Sequence, residues 1–349
     1  MANVFTRFFR RALIPSLLKD VLGEIRTRFA RLEATVQNLA ATFGNQAATL
    51  GNKVDGVRDA MDVRFAQTAA ALERIEARLA PADPAAAFAN LDRASAQYRA
   101  DNPELDLMLH LYAFLPSRNS IDIGANVGDV AEHLLDAGFS VHAFEPFPPV
   151  FEKLRLRLGH YADFHPAQMA IGSKDADMEL SIATDPLEGK YGDPTVYNTL
   201  LPRETSGDLV FPERVPVRVR SLESLHKSGE IPADIGLVKI DTEGYELEGI
   251  RGMGAHSYPV VCAEFWAKDF TFGRAGSLNH LEDMVPEMRQ RGYHWNLIVC
   301  RVEGVEGIAC YLNTMRTPPK AWGNIFFFHE AALFQRAMEW HAHRQILMK

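Results

Sequence analysis

Cysteine is scarce in this chain of 349 residues: there are three, Cys262, Cys300 and Cys310, and no C-x-x-C pair. That excludes a zinc cluster and a dense disulfide framework, and it fits a reducing, intracellular setting. Cys262 sits in an apolar run and reads as a buried thiol. No window approaches the roughly 18 uninterrupted apolar residues of a membrane-spanning helix. The N-terminal stretch carries Arg7, Arg10 and Arg11 and lacks the apolar core of a signal peptide. Excess basic charge is missing too. A formal net charge of −8 and a pI near 5.9 argue against a general nucleic-acid binder, which needs clustered Lys and Arg. There is no H-E-x-x-H pattern. Proline is absent between Pro15 and Pro81, which leaves a long stretch free to be helical.

What is present divides the chain. With 47% hydrophobic residues, it can form one large α/β domain with an appendage. Residues 1–19 mix Phe5, Phe8, Phe9, Leu13, Ile14 and Leu17 with Arg7, Arg10, Arg11 and Lys19, and contain no acid. This basic amphipathic segment suits a peripheral membrane contact, or docking on the protein itself or on a second subunit. Over residues 20–80, Leu22, Ile25, Phe29, Leu32, Val36, Leu39 and Phe43 open a three-four repeat that continues, with one slip, to Leu79. A helix this long predicts a coiled coil and a homo-oligomer. A lone exposed helix or a partly disordered stalk is the plainer alternative. Residues 81–117 read as a linker with leading helices, 118–330 as the main domain and 331–349 as a C-terminal helix. Within the main domain short apolar strands alternate with helical patterns, which predicts a mainly parallel sheet covered on both faces.

The most informative stretch is Ser120-Ile-Asp-Ile-Gly-Ala-Asn-Val-Gly-Asp-Val130, followed by His142-Ala-Phe-Glu-Pro146. A strand, a glycine turn, an amphipathic helix and a second strand closed by Glu145 make a βαβ unit, whose crevice receives a nucleotide-like ligand. Glu145 is positioned to accept hydrogen bonds from ribose hydroxyls; capping the next helix is the plainer reading. A dinucleotide site wants G-x-G-x-x-G. Here Gly124 and Gly128 are separated by three residues, and Asn126 replaces the middle glycine. A side chain there crowds a pyrophosphate but leaves room for an amino-acid moiety, with Asp122 near its ammonium end. The pattern favours S-adenosylmethionine over NAD.

Further along, Phe164 to Gly172 reads as the third strand and its exit, with Met169 and Ala170 as candidates for the adenine pocket. Residues 184–215 form a polar insertion that either closes over the substrate or is a hairpin without a role. Leu237-Val-Lys-Ile-Asp-Thr-Glu-Gly-Tyr-Glu246 is the second strong signature. A buried strand ends in Asp241, Glu243 and Glu246, where sheet enzymes place reacting groups, and Glu264 brings another acid to the same edge. Mutual repulsion raises carboxylate pKa values toward those of a useful base. Against this, Asp241 could cap the helix and Glu246 face solvent. Clustered acids also admit a divalent cation, but no spacing requires one, and no metal is assigned.

Ile121 to Gly128, Phe144-Glu-Pro146, Ala170-Ile-Gly172, Val219-Arg-Ser-Leu222 and Val238 to Glu246 resemble, in order and spacing, the FkbM family of methyltransferases. Pro259 to Phe265 and Trp322 to Phe326 look like that family's later strands. The resemblance covers residues 115–330. It implies a class I methyltransferase (Rossmann-like) fold and S-adenosylmethionine-dependent O-methylation of hydroxyls on sugars, glycans, polyketides or other natural products. Its motifs assign Asp122, Gly124, Asn126, Gly128 and Glu145 to the cofactor, and Asp241, Glu243 and Glu246 to the reaction end. The chain departs from the family pattern at Tyr197-Asn-Thr-Leu200 and at Leu222-Glu223.

The expected reaction is methyl transfer by SN2 displacement, with Asp241 first, then Glu243 or Glu264, or else a nearby histidine, taking the hydroxyl proton. One rival is an NAD-dependent oxidoreductase, disfavoured by Asn126. The other is an inactive methyltransferase-fold domain that serves as a coiled-coil scaffold. A cytoplasmic location, peripheral to an inner membrane if residues 1–19 anchor it, completes the expectation.

Overall fold

The computed structural model describes residues 102–187, 192–270 and 276–347. The basic segment 1–19, the coiled-coil helix 20–80 and the linker as far as residue 101 lie outside the described residues.

The first half of the fold runs α1 (Pro103–Leu111), β1 (Asn119–Ile123), α2 (Asp129–Asp136), β2 (Ser140–Phe144), α3 (Pro148–Leu158), β3 (Phe164–Ala167), β4 (Ala170–Ile171) and β5 (Ala176–Thr184). It continues with β6 (Thr205–Ser206), β7 (Leu209–Arg220), α4 (Leu222–Ser228), β8 (Ile235–Ile240), α5 (Glu246–Arg251) and β9 (Val260–Trp266). Last come α6 (Leu281–Gln290), β10 (Trp295–Val302), β11 (Val305–Leu312), β12 (Ala321–Phe328) and α7 (Ala331–Leu347).

Eight strands form the main sheet in the order β11-β10-β12-β9-β8-β1-β2-β3. From β3 to β9 every pairing is parallel. Strand β12 runs antiparallel to both β9 and β10, so β10 shares the direction of the parallel set, and β11 closes the edge as a hairpin. This is a mainly parallel, Rossmann-like sheet. Its order reverses between β1 and β8, and at such a switch point the strand ends diverge and leave a crevice.

The strand composition follows from burial on two faces. All six residues of β8 are buried, including Lys239, as expected of a central parallel strand. One face packs Leu107, Leu111, Leu134, Leu154, Leu158, Leu237 and Trp340, from α1, α2, α3, β8 and α7. The other packs Leu222, Leu225, Val238, Ile240, Ile250, Met284 and Met288, from α4, β8, α5 and α6. Helix starts are locally encoded. Pro148 and Pro149 open α3, and the Ser221 side chain accepts a hydrogen bond from Ser224 N (3.1 Å) at the start of α4.

The stretch 164–172 is not one strand. Pro166 has no N–H for the ladder, and a turn bonded from Met169 N to Ala167 O (3.0 Å) ends β3. The chain then enters a second sheet, ordered β4-β7-β5 with β6 paired to β7. The insertion therefore belongs to a sheet of its own, in which β5 and β7 pair antiparallel from Ala176–Val219 to Thr184–Val210.

Tyr293 locks the start of β9. Fully buried, its hydroxyl accepts from Tyr258 N (2.7 Å) and donates to Tyr258 O (2.9 Å). Tyr293→Phe leaves both backbone groups unsatisfied and should cost about 1–3 kcal/mol in denaturant unfolding. A cost near zero would show that water replaces the hydroxyl.

Candidate active site

The crevice beyond β1 and β8 is lined by two loops and a strap. The first loop, Gly124 to Asn126, leaves β1; the second, Asp241 to Glu243, leaves β8; Thr195, Val196 and Asn198 to Leu200 come from the second sheet's insertion. Glu145, Ala170, Ile171, Leu180 and Lys239 also face the cavity.

The two loops touch. Asp241 N donates to Ile123 O (3.0 Å), and a Cβ on Gly124 would lie 1.8 Å from Asp241 O. With φ at +75°, Gly124 is required by this backbone approach as well as by its left-handed conformation. Gly128 has a different reason. Its φ is +93°, and a side chain would strike Leu154 and Leu158 of α3. Two non-glycine residues, Asn126 (φ +49°) and Glu243 (φ +56°), also adopt left-handed backbone, one on each loop. Asn tolerates this readily, whereas Glu holds it at a cost of about 1–3 kcal/mol.

Glu145 closes the first loop. One carboxylate oxygen accepts from Asn126 N (3.0 Å), the other from Phe147 N (2.8 Å). Burial nevertheless pushes its pKa up to about 7, the two backbone donors opposing the shift. Each oxygen retains a second lone pair, so bridging the loops and receiving ribose hydroxyls are compatible roles. Glu246 organises the second loop. It is completely buried and accepts from Thr242 N (2.7 Å), Thr242 Oγ1 (3.1 Å) and Gly244 N (3.1 Å). A solvent-facing Glu246 is thus ruled out; the residue holds the loop on which Asp241 and Glu243 sit.

Asp122, Gly128, Met169 and Glu264 are not among the residues lining the cavity. Asp122 is completely buried beneath it, 3.3 Å from Lys239 Nζ, and Lys239 stands 3.3 Å from Asp241 as well. Lys239, rather than Asp122, presents the charge at the crevice. Burial raises the Asp122 pKa against the pull of Lys239; Lys239 itself, despite burial, is held protonated by Asp122 and Asp241. Met169 packs against the core around Ile123 and Ile171, while Ala170, one residue on, reaches the cavity wall.

At the reaction end three acids converge. Asp241, Glu243 and Glu264 each bring a carboxylate oxygen within 4.8 Å of the others. Burial, then repulsion between these carboxylates, pushes Glu243 and Glu264 well above the ordinary carboxylate range. Asp241 keeps a third of its side chain exposed, so the cluster remains accessible. Sequence reasoning brought these acids to one edge but missed two cations, Lys239 and Arg203. The signal for Lys239 was a lone charge inside an otherwise apolar buried strand. Arg203 carried no signal, because it lies in the insertion.

The residues fit S-adenosylmethionine. Gly124 keeps the floor of the crevice flat, Glu145 offers acceptor oxygens, and Ala170, Ile171 and Leu180 supply an apolar wall for a base.

Between their ordinary value of 4.5 and about 7, Glu145 and Glu246 hold more protons in the folded chain than in the unfolded one. Stability contributed by them therefore falls as pH rises through that window. Glu246→Gln keeps an acceptor oxygen toward Thr242 but cannot titrate. Thermal denaturation of the cofactor-free protein should show a shallower loss across this window in the variant, and parallel profiles would contradict the assignment.

Residues 122–294 match the family model described as the methyltransferase FkbM domain. No curated protein matches the chain. Among solved structures, the chain is similar to precorrin-6y C5,15-methyltransferase from Geobacter metallireducens GS-15, at 13% identity and a TM-score of 0.29, over 61% of this chain and 80% of that one. It is similar to Aeropyrum pernix fibrillarin with natively bound S-adenosyl-L-methionine, at 10% identity and a TM-score of 0.31, over 60% and 65% of the two chains. A third is an rRNA methylase from Streptococcus thermophilus, at 10% identity and a TM-score of 0.30, over 64% and 93%. The span from Asp122 to His294 is similar to a methyltransferase FkbM domain, and its cofactor is S-adenosylmethionine.

Proposed function

We propose that this protein is an O-methyltransferase that acts on a hydroxyl of a sugar, glycan or other natural product. The observation that carries the reading is the convergence of Asp241, Glu243 and Glu264 beside the cofactor crevice. Methylation of a hydroxyl releases a proton, and a cluster of carboxylates held at raised pKa can take it. Bound S-adenosylmethionine would supply an electrophilic methyl on its sulfonium, for transfer to the acceptor oxygen with release of S-adenosylhomocysteine and of the hydroxyl proton. The chain's own residues do the rest. Glu145 and the Gly124 to Asn126 backbone hold the nucleoside end, and Lys239 steadies Asp241. The acid cluster orients the acceptor hydroxyl and receives its proton. In-line positioning contributes much of the acceleration.

An inactive scaffold would have no reason to retain buried carboxylates that cost stability, and this favours the enzyme. The N-terminal coiled coil is proposed to assemble the enzyme into a homo-oligomer, and residues 1–19 to hold it at a membrane surface. Among the described residues no helix is long and apolar enough to cross a membrane. A chain lacking residues 1–19 that still sediments with vesicles would refute the anchor.

The test uses S-adenosylmethionine labelled in the methyl group, with a panel of hydroxylated acceptors. Label should appear as a methyl ether. Glu264→Gln should lower kcat about 10²-fold or more while S-adenosylhomocysteine affinity stays within a few-fold. Glu145→Ala should instead weaken S-adenosylhomocysteine by roughly 10-fold or more, through lost charge-assisted hydrogen bonds. Label on nitrogen or carbon would overturn the hydroxyl assignment. Cofactor binding without transfer to any acceptor would favour the scaffold.

A further inference from the structure

Arg203 has no part in the fold's core and none in the cofactor contacts, yet only 4% of it is exposed. It belongs to the insertion, three residues after the strap that lines the crevice. The Ser181 hydroxyl on β5 donates to Leu201 O (2.8 Å), which ties this segment to the second sheet. From there the guanidinium reaches the loop after β8. Its Nη2 donates to Ser277 Oγ (2.7 Å), and its Cζ lies 5.3 Å from the centre of the Trp266 ring. The same Nη2 would be 2.9 Å from a Cβ at Gly244, whose φ is +103°. Gly244 is therefore the gap through which the cation lies against the acid loop.

Every element packed around it carries charge. The β8 end and its loop contribute Lys239, Asp241, Glu243 and Glu246; β9 contributes Glu264; Asp122 lies below on β1; and the segment bearing Ser277 carries His280. Arg203 interacts electrostatically with Glu243, Glu246 and Glu264. Lys239 is already shared between Asp122 and Asp241. For Glu243 and Glu264, the charge that Lys239 does not meet falls to Arg203. Desolvating a guanidinium is costly, and an indole face, one hydroxyl and three carboxylates are the compensation arranged for it.

We infer that Arg203 is a positioning residue of the active site: carried by the insertion and seated between Ser277, the Trp266 ring and Gly244, it sets its positive charge beside the acid cluster, so that the base depends on an element outside the Rossmann-like core. The insertion thereby acquires a role that neither a simple cover nor an idle hairpin would have. This inference rests on the proposed proton acceptance by the cluster. Its test needs no acceptor, so the two can fail separately.

The experiment follows carboxyl carbon signals by NMR in the full chain labelled at glutamate side chains, as pH is varied. Wild type is compared with Arg203→Gln, Arg203→Lys and Ser277→Ala, and S-adenosylhomocysteine calorimetry checks that each variant keeps its cofactor site. Losing the guanidinium should move the highest-titrating glutamates up by about one unit or more, the effect of removing an opposite charge at short range. Arg203→Lys should return most of that shift. Ser277→Ala, which frees the guanidinium without removing it, should give a smaller shift in the same direction, and it carries the test if Arg203→Gln does not fold. Unchanged glutamate titrations in Arg203→Gln, or in Ser277→Ala where only that variant folds, with cofactor affinity retained, would overturn the inference and leave Arg203 as packing alone.

Discussion

A buried ammonium holds this site together. Lys239 lies between Asp122 at the end of β1 and Asp241 just beyond β8, 3.3 Å from each. These two strands are the pair at which the sheet order reverses. The lysine therefore clamps the two halves of the crevice at its floor. Removing one partner from such a buried group leaves uncompensated charge, with a penalty on the order of 3–5 kcal/mol. The cofactor loop and the acid loop are consequently one electrostatic unit. The backbone repeats the connection, through Asp241 N to Ile123 O and through the close approach that only glycine at 124 permits.

Above that floor the acids divide into two kinds. Glu145 and Glu246 accept from backbone donors and shape the loops. Asp241 and Glu243 line the crevice, and Glu264 brings a carboxylate oxygen within 4.8 Å of theirs. Burial raises the pKa of members of both kinds, and repulsion adds to it where carboxylates face one another. The proposed methyl transfer to a hydroxyl uses this separation: Glu145 and Glu246 hold the two loops, while the clustered acids take the proton.

Much of this was legible in the sequence. Strands β1, β2 and β8 announce themselves as apolar runs ending in turn glycines or acids. The glycine spacing with Asn126 pointed to S-adenosylmethionine because a pyrophosphate would not fit. What escaped was whatever depends on contacts distant along the chain. Nothing local distinguishes an Asp122 that touches a ligand from one that sits beneath Lys239. Periodicity cannot reveal that β3 breaks after Ala167 and that β4 pairs with Val219 and Arg220, some fifty residues on. Arg203 is the extreme case: a single arginine in a polar insertion is buried against Ser277 and the Trp266 ring, more than sixty residues on, only in the folded chain.

The most direct measurement is a crystal structure of the protein with S-adenosylhomocysteine bound. The account predicts the ribose hydroxyls at Glu145, the base against Ala170 and Ile171, and the sulfur turned toward the carboxylates of Asp241 and Glu243. A nucleoside bound elsewhere, or a sulfur facing away from those carboxylates, would contradict it.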